Sequence, residues 1–126
     1  ILVQAAVMPP GSVLLIEQPE LHLHPMAQSR LARFIAKAVE QGRRFVIETH
    51  SEHFVRGLQI AVAEAAGRKG RLKNTDVLFH YVRRGRENEP PYGLDRVGRF
   101  DRDWPSGFFD ESYRAARLLI SAQAKA

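Results

Sequence analysis

Val13-Leu14-Leu15-Ile16-Glu17-Gln18-Pro19-Glu20-Leu21-His22-Leu23-His24-Pro25 is the most informative stretch of this chain. A short apolar run stops at Glu17 and Glu20, then passes through two histidines into a proline. Apolar runs of this length bounded by turn residues read as buried strands. Carboxyl groups at the exit of such a strand lie where open α/β sheets bind ligands, in the crevice outside the strands' carboxyl ends. The same arrangement returns further on, where Arg43-Arg44 leads into Phe45-Val46-Ile47 and then Glu48-Thr49-His50-Ser51-Glu52-His53.

The segment between the two runs reads as a helix. Leu31, Phe34, Ile35, Ala38 and Val39 fall at the spacing of a single helical face. Pro25 suits the first turn, where its missing N–H costs nothing, and Gly42 suits the stop. Strand, helix and strand with tight joints make a βαβ unit with a right-handed crossover. Two parallel strands then present Glu17 and Glu20, and His50 and His53, on one edge of the sheet.

Further along, Pro9-Pro10-Gly11-Ser12 is a turn closing an apolar first segment. A second helix is expected from about Ser51 to Ala66, capped by Ser51, with Glu52 favouring its dipole. Phe54, Val55, Leu58, Ala61, Val62 and Ala65 form its buried stripe, and Gly67 and Gly70 close it. Val77 to Val82 reads as a third strand, Arg83 to Gly93 as a loop or wide hairpin, and Leu94 to Phe100 as a short edge strand. Trp104 to Phe109 is an aromatic turn. Asp110 is placed to cap a last helix through about Ser121, with Tyr113, Ala116, Leu119 and Ile120 packing inward.

Composition sets bounds. The chain has 126 residues, enough for one core, with 44% hydrophobic and 26% charged residues, as in ordinary globular proteins. No window approaches the ~20 apolar residues of a membrane helix, and no signal peptide is visible, so a cytoplasmic location is the default expectation. With no cysteine, disulfides and thiolate metal sites are excluded. The chain starts at Ile1 inside an apolar segment, which reads as part of something longer. Net charge is +5, and residues 68–103 hold ten Lys or Arg against six Asp or Glu. That excess of four suits phosphate contacts or simply a solvated loop face.

Each candidate residue has a functional and a plain reading. Glu17 is where a nucleotide hydrolase holds Mg²⁺, usually through water, beside the β and γ phosphates; otherwise it caps the following turn. Glu20 can polarise a water or cap helix 25–41. Gln18 cannot act as a base but can orient a water. His50 can donate a hydrogen bond to a γ phosphate, or be satisfied by local backbone. A rival use of His50, His53, His22 and His24 with the glutamates is a zinc or manganese site. Its spacing departs from H-E-x-x-H, and His22 and His24 would point apart in an extended loop.

Leu14 to Pro25, followed by Glu48-Thr49-His50-Ser51-Glu52-His53, resembles the C-terminal half of an ABC-like P-loop AAA-family ATPase of the overcoming-lysogenisation-defect and RecF type. Trp104-Pro105-x-Gly107-Phe108-Phe109-Asp110 is similar to the tail of a subgroup carrying a C-terminal domain of unknown function. The resemblance implies an α/β fold with a mainly parallel sheet, residues 1–82 completing the ATPase core and residues 83–126 forming an extension. It implies Glu17 as the Walker B acid at Mg²⁺, and Gln18 at the place of the usual catalytic glutamate. Leu21 to Pro25 becomes the loop that crosses to a partner subunit. His50 becomes the switch histidine at the γ phosphate, with Ser51 beside it in the nucleotide site. It further implies ATP and Mg²⁺, ATP-dependent homodimerisation, and coupling to DNA or an effector protein, as in DNA repair or phage defence.

The 126 residues contain no G-x-x-x-x-G-K-[ST] loop and no Ser-Gly-Gly signature loop, so this chain by itself is expected to bind ATP poorly. Gln18 in place of the base implies slow hydrolysis, unless Glu20 substitutes, and favours a long-lived ATP-bound dimer. Two other readings stay open: a non-enzymatic nucleic-acid-binding module using residues 68–102, and a His/Glu metal-dependent hydrolase.

Overall fold

The computed structural model describes residues 1–67, 71–85, 89–105 and 111–123, with backbone alone at 111–113. In chain order it has α1 (Leu2–Val7), β1 (Val13–Glu17), α2 (Pro25–Glu40), β2 (Arg44–Glu48), α3 (Glu52–Gly67), a 3₁₀ turn at Asn74–Asp76 and α4 (Glu111–Gln123).

The local chemistry accounts for these limits. His24 caps α2, its Nδ1 accepting from the Met26 N–H at 3.3 Å, and Pro25 follows in the first turn. Gly42, at φ +85°, ends the helix and donates its N–H to Val39 O at 2.8 Å. Ser51 caps α3, its hydroxyl accepting from the Phe54 N–H at 2.9 Å. The guanidinium of Arg43 reaches back to α1 and donates to the carbonyls of Met8 and Ala6, at 2.7 and 3.0 Å. A cation there satisfies carbonyls that the helix leaves free.

β1 and β2 pair in parallel, with Leu15 opposite Val46 and Glu17 opposite Glu48. Alternation along a strand sends successive side chains to opposite faces. Leu14, Ile16, Phe45 and Ile47 take one face and pack with Leu31, Ala32, Ile35 and Phe54 of the helices. Burying a side chain such as Phe54 stabilises by about 1.5–3 kcal/mol. The opposite face carries Val13, Leu15 and Val46 in the open, Leu15 being 75% exposed.

Gly57 lets α2 and α3 approach closely. A Cβ built there would lie 2.7 Å from Ala32 Cβ and 2.8 Å from Ser29 O. Later in the same helices, Ala36 and Val62 join Leu72 and Leu94 in a second cluster, edged by Val77, Phe79 and Phe100.

Three expectations for the C-terminal region need correction. Residues 77–82 do not form a third strand; Phe79 makes a single antiparallel bridge with Tyr92. Two residues on, Tyr81 would face Pro90, which has no N–H to continue a ladder. Residues 94–100 are not an edge strand either. Leu94 bridges to Phe100 around a turn in which Asp95 Oδ1 accepts from the N–H groups of Val97 and Arg99, at 2.9 and 2.8 Å. Asp favours such self-bonded turns over ladders. The last helix forms as α4, but Ala116, Leu119 and Ile120 face solvent. A helical stripe records amphipathicity, not the surface that covers it. The Tyr113 side chain, Gly70, and residues 106–110 of the aromatic turn and its cap lie outside the described residues.

Within that turn, Trp104 packs on Phe100 and Tyr92, with ring centroids 4.4 and 4.7 Å apart. Arg102 stacks its guanidinium over the Tyr92 ring at 4.0 Å.

Candidate functional site

Parallel pairing puts the carboxyl ends of β1 and β2 on one edge, as a βαβ unit requires. Glu17 and Glu48 close the two strands as register partners. Neighbouring strands run about 4.8 Å apart, and partners in register point to the same face. Both carboxyl groups therefore stand side by side on the open face, beyond Leu15 and Val46, and both residues are exposed. His50 stands two residues past Glu48, with its Nε2 3.7 Å from Glu48 Oε1. Both side chains are largely exposed, so this pair adds little to stability, but it puts the imidazole beside the carboxyl pair.

The loop after β1 is unusual in its backbone. Gln18 donates its N–H to Glu48 O at 2.8 Å, prolonging the ladder by one bond. Among the described residues, two non-glycine residues have positive φ, Gln18 at +44° and His22 at +64°. Both lie in this loop. Left-handed backbone at non-glycine residues carries strain and concentrates at functional sites. Leu21 donates to Gln18 O and Leu23 to Glu20 O, at 3.1 and 2.9 Å, so the loop is two successive turns. Leu21 and Met26 are each 60% exposed around it.

The other candidates are engaged within the protein. Glu20 is buried, and its Oε1 accepts from the His50 N–H at 2.9 Å. Ser51 is also buried; its hydroxyl donates to Gln28 Oε1 at 2.5 Å while accepting from Phe54. Gln28 Nε2 in turn donates to Leu23 O at 2.8 Å. His53 is exposed, and its carbonyl accepts from the Ser29 hydroxyl at 3.1 Å. His24 caps α2. Among the described residues, no three His, Asp or Glu side chains gather as a metal-holding group.

Residues 7–55 match the family model of an AAA ATPase domain. Residues 72–119 match the model of a protein family of unknown function, DUF3696. No curated protein and no solved structure matches the chain. The two matches support an AAA-type ATPase segment followed by a segment of that uncharacterised family. The ATPase-domain match spans β1, α2 and β2, and so covers both strand ends and every residue from Glu17 to His53. It suggests ATPase-type function and is consistent with a P-loop α/β fold. No helix among the described residues is long and apolar enough to cross a membrane.

Two residues had no role in the sequence reading. Glu48 carried the same signal as Glu17, an acid closing an apolar strand, and could have been found by it. Gln28 carried none, being one polar residue in a helix whose partners are set by packing.

Proposed function

We propose that this chain supplies the strand-end half of a Mg²⁺-dependent ATP hydrolysis site of the ABC-like type. The observation that carries the reading is the register pair Glu17 and Glu48 with the His50 imidazole beside it, within the stretch that matches the ATPase domain. Two exposed carboxyl groups fit a hard divalent cation, which takes oxygen ligands and keeps several waters. Glu17 would hold Mg²⁺, with Glu48 next to it; when bound, the cation neutralises charge developing on the phosphate oxygens.

The chain's own residues do the rest. His50 donates a hydrogen bond from its imidazole to the γ-phosphate oxygens and responds to their loss. Gln18, held at the strand exit by its backbone N–H on Glu48 O, orients the attacking water but cannot take its proton, which favours slow turnover. Ser51 fixes the start of α3 and so the backbone around His50. The phosphate cradle comes from residues outside this sequence.

The loop of Leu21 to Pro25, with Leu21 and Met26 exposed, supports a contact with a second ATP-bound copy. Coupling of that dimer to DNA or an effector protein belongs to the same proposal. The test is ATP turnover by the protein that carries this chain. Glu17→Gln and His50→Ala should each lower kcat by about 100-fold, because both groups act on transition-state charge. Wild-type turnover in both variants would refute the reading.

A further inference from the structure

We infer that Glu20 and Gln28 are positioning residues that lock His50 and Ser51 to the loop after β1, so that the γ-phosphate histidine cannot move independently of that loop. This rests on the ATPase reading for its catalytic consequence. Its structural content stands on the hydrogen bonds alone.

Two ties converge on adjacent residues. Glu20 Oε1 accepts from the backbone N–H of His50 at 2.9 Å, across thirty positions of sequence. Gln28 takes the Ser51 hydroxyl on Oε1 at 2.5 Å and gives its own Nε2 proton to Leu23 O at 2.8 Å. Residues 20–23, the first turns of α2 and residues 50–51 are thereby one hydrogen-bonded unit.

Burial decides what Glu20 does within it. The residue is 9% exposed, and its Oε2 is buried without a hydrogen-bond partner among the described residues. A buried carboxyl oxygen is costly to hold without a partner, and the bond that fixes the Glu20 side chain is the one its Oε1 accepts from the His50 N–H. A general base must reach the proton it abstracts, directly or through one water. Glu20 has one oxygen committed to the His50 backbone and the other enclosed. The Glu48 carboxyl, by contrast, is exposed at the strand end. Fixing the backbone of His50 sets where its imidazole can reach, and small displacements at such positions cost rate.

The experiment compares Glu20→Gln, Glu20→Ala and Gln28→Ala in the protein that carries this chain, reading kcat, KM for ATP and amide hydrogen exchange at His50. Gln keeps an acceptor for the His50 N–H. Glu20→Gln should therefore stay within about 3-fold of wild-type kcat, whereas Glu20→Ala should lose about 10-fold or more with KM nearly unchanged. The His50 amide should exchange about 10-fold faster in Glu20→Ala but not in Glu20→Gln. Gln28→Ala should speed that exchange about 3-fold, and it carries the test if Glu20→Ala fails to fold.

Equal loss in the Gln and Ala variants would mean that the acid itself acts in the chemistry, and positioning would be overturned. Unchanged His50 exchange in Glu20→Ala, or in Gln28→Ala if that variant must stand in, would show that the clamp does not exist. If the wild-type protein does not hydrolyse ATP, the proposed function fails while the exchange measurements still judge the clamp.

Discussion

Residues 13–67 and the described residues between 71 and 123 are held together by different means. The first region is two paired strands and two packed helices, with Ile16, Leu31, Ala32, Ile35 and Phe54 in a shared core. The second has single bridges at Phe79–Tyr92 and Leu94–Phe100, a turn organised by Asp95, an aromatic cluster around Trp104 and an exposed helix. Repeating backbone ladders make the first region rigid enough to present side chains at fixed strand ends. Among the described residues, Leu72 and Leu94 of the second pack against Ala36 and Val62 of the first.

Mutations should expose that contrast. Phe54 is 1% exposed at the centre of the first core. Phe54→Ala should cost about 3–5 kcal/mol in denaturant unfolding, through lost transfer energy and a residual cavity. A cost below about 1 kcal/mol would mean that the first region is not the stable one. The joint between the regions comes next. Glu40, on α2, accepts from the N–H groups of Arg71 and Leu72 at 3.2 and 3.0 Å. Glu40→Ala should cost about 1–2 kcal/mol, since two backbone donors lose their partner, and should speed amide exchange at 71–72 while leaving β1 protected. Uniform loss of protection along the chain would merge the two regions into one unit. The smallest effect belongs to Leu119, 59% exposed on α4. Leu119→Ala should shift stability by no more than about 0.5 kcal/mol, and a larger loss would place a partner surface on α4.

The same contrast explains what could be read from the amino-acid sequence. The βαβ unit was readable because apolar runs, Pro25, Gly42 and the Ser51 cap all agree with one another, and consistency across such signals specifies structure. Val77 to Val82 has strand composition, but strand propensity describes fit to a pleated surface, and Pro90 removes the donor that a growing ladder needs. The apolar positions of α4 gave its helical period and nothing about its neighbours. At the candidate site, Glu17, Glu20, Gln18, His50 and Ser51 stood out as ionisable or polar residues at strand exits. What pattern could not supply was their division by burial. Glu17, Gln18 and His50 are exposed at the edge, whereas Glu20 and Ser51 are enclosed and bonded within the protein. That division depends on how the loop of residues 18–24 folds back, including the left-handed backbone at Gln18 and His22.

The proposed function requires that adjacent parallel strands deliver Glu17 and His50 to one shared nucleotide site. A double-mutant cycle on ATP turnover decides the matter, with Glu17→Gln, His50→Ala and the combined variant measured in the protein that carries this chain. If both groups act on the same transition state, the combined variant should be little worse than the weaker single variant, at about 100-fold below wild type. Losses that multiply to about 10,000-fold would place the two residues in independent roles and rule out the shared site.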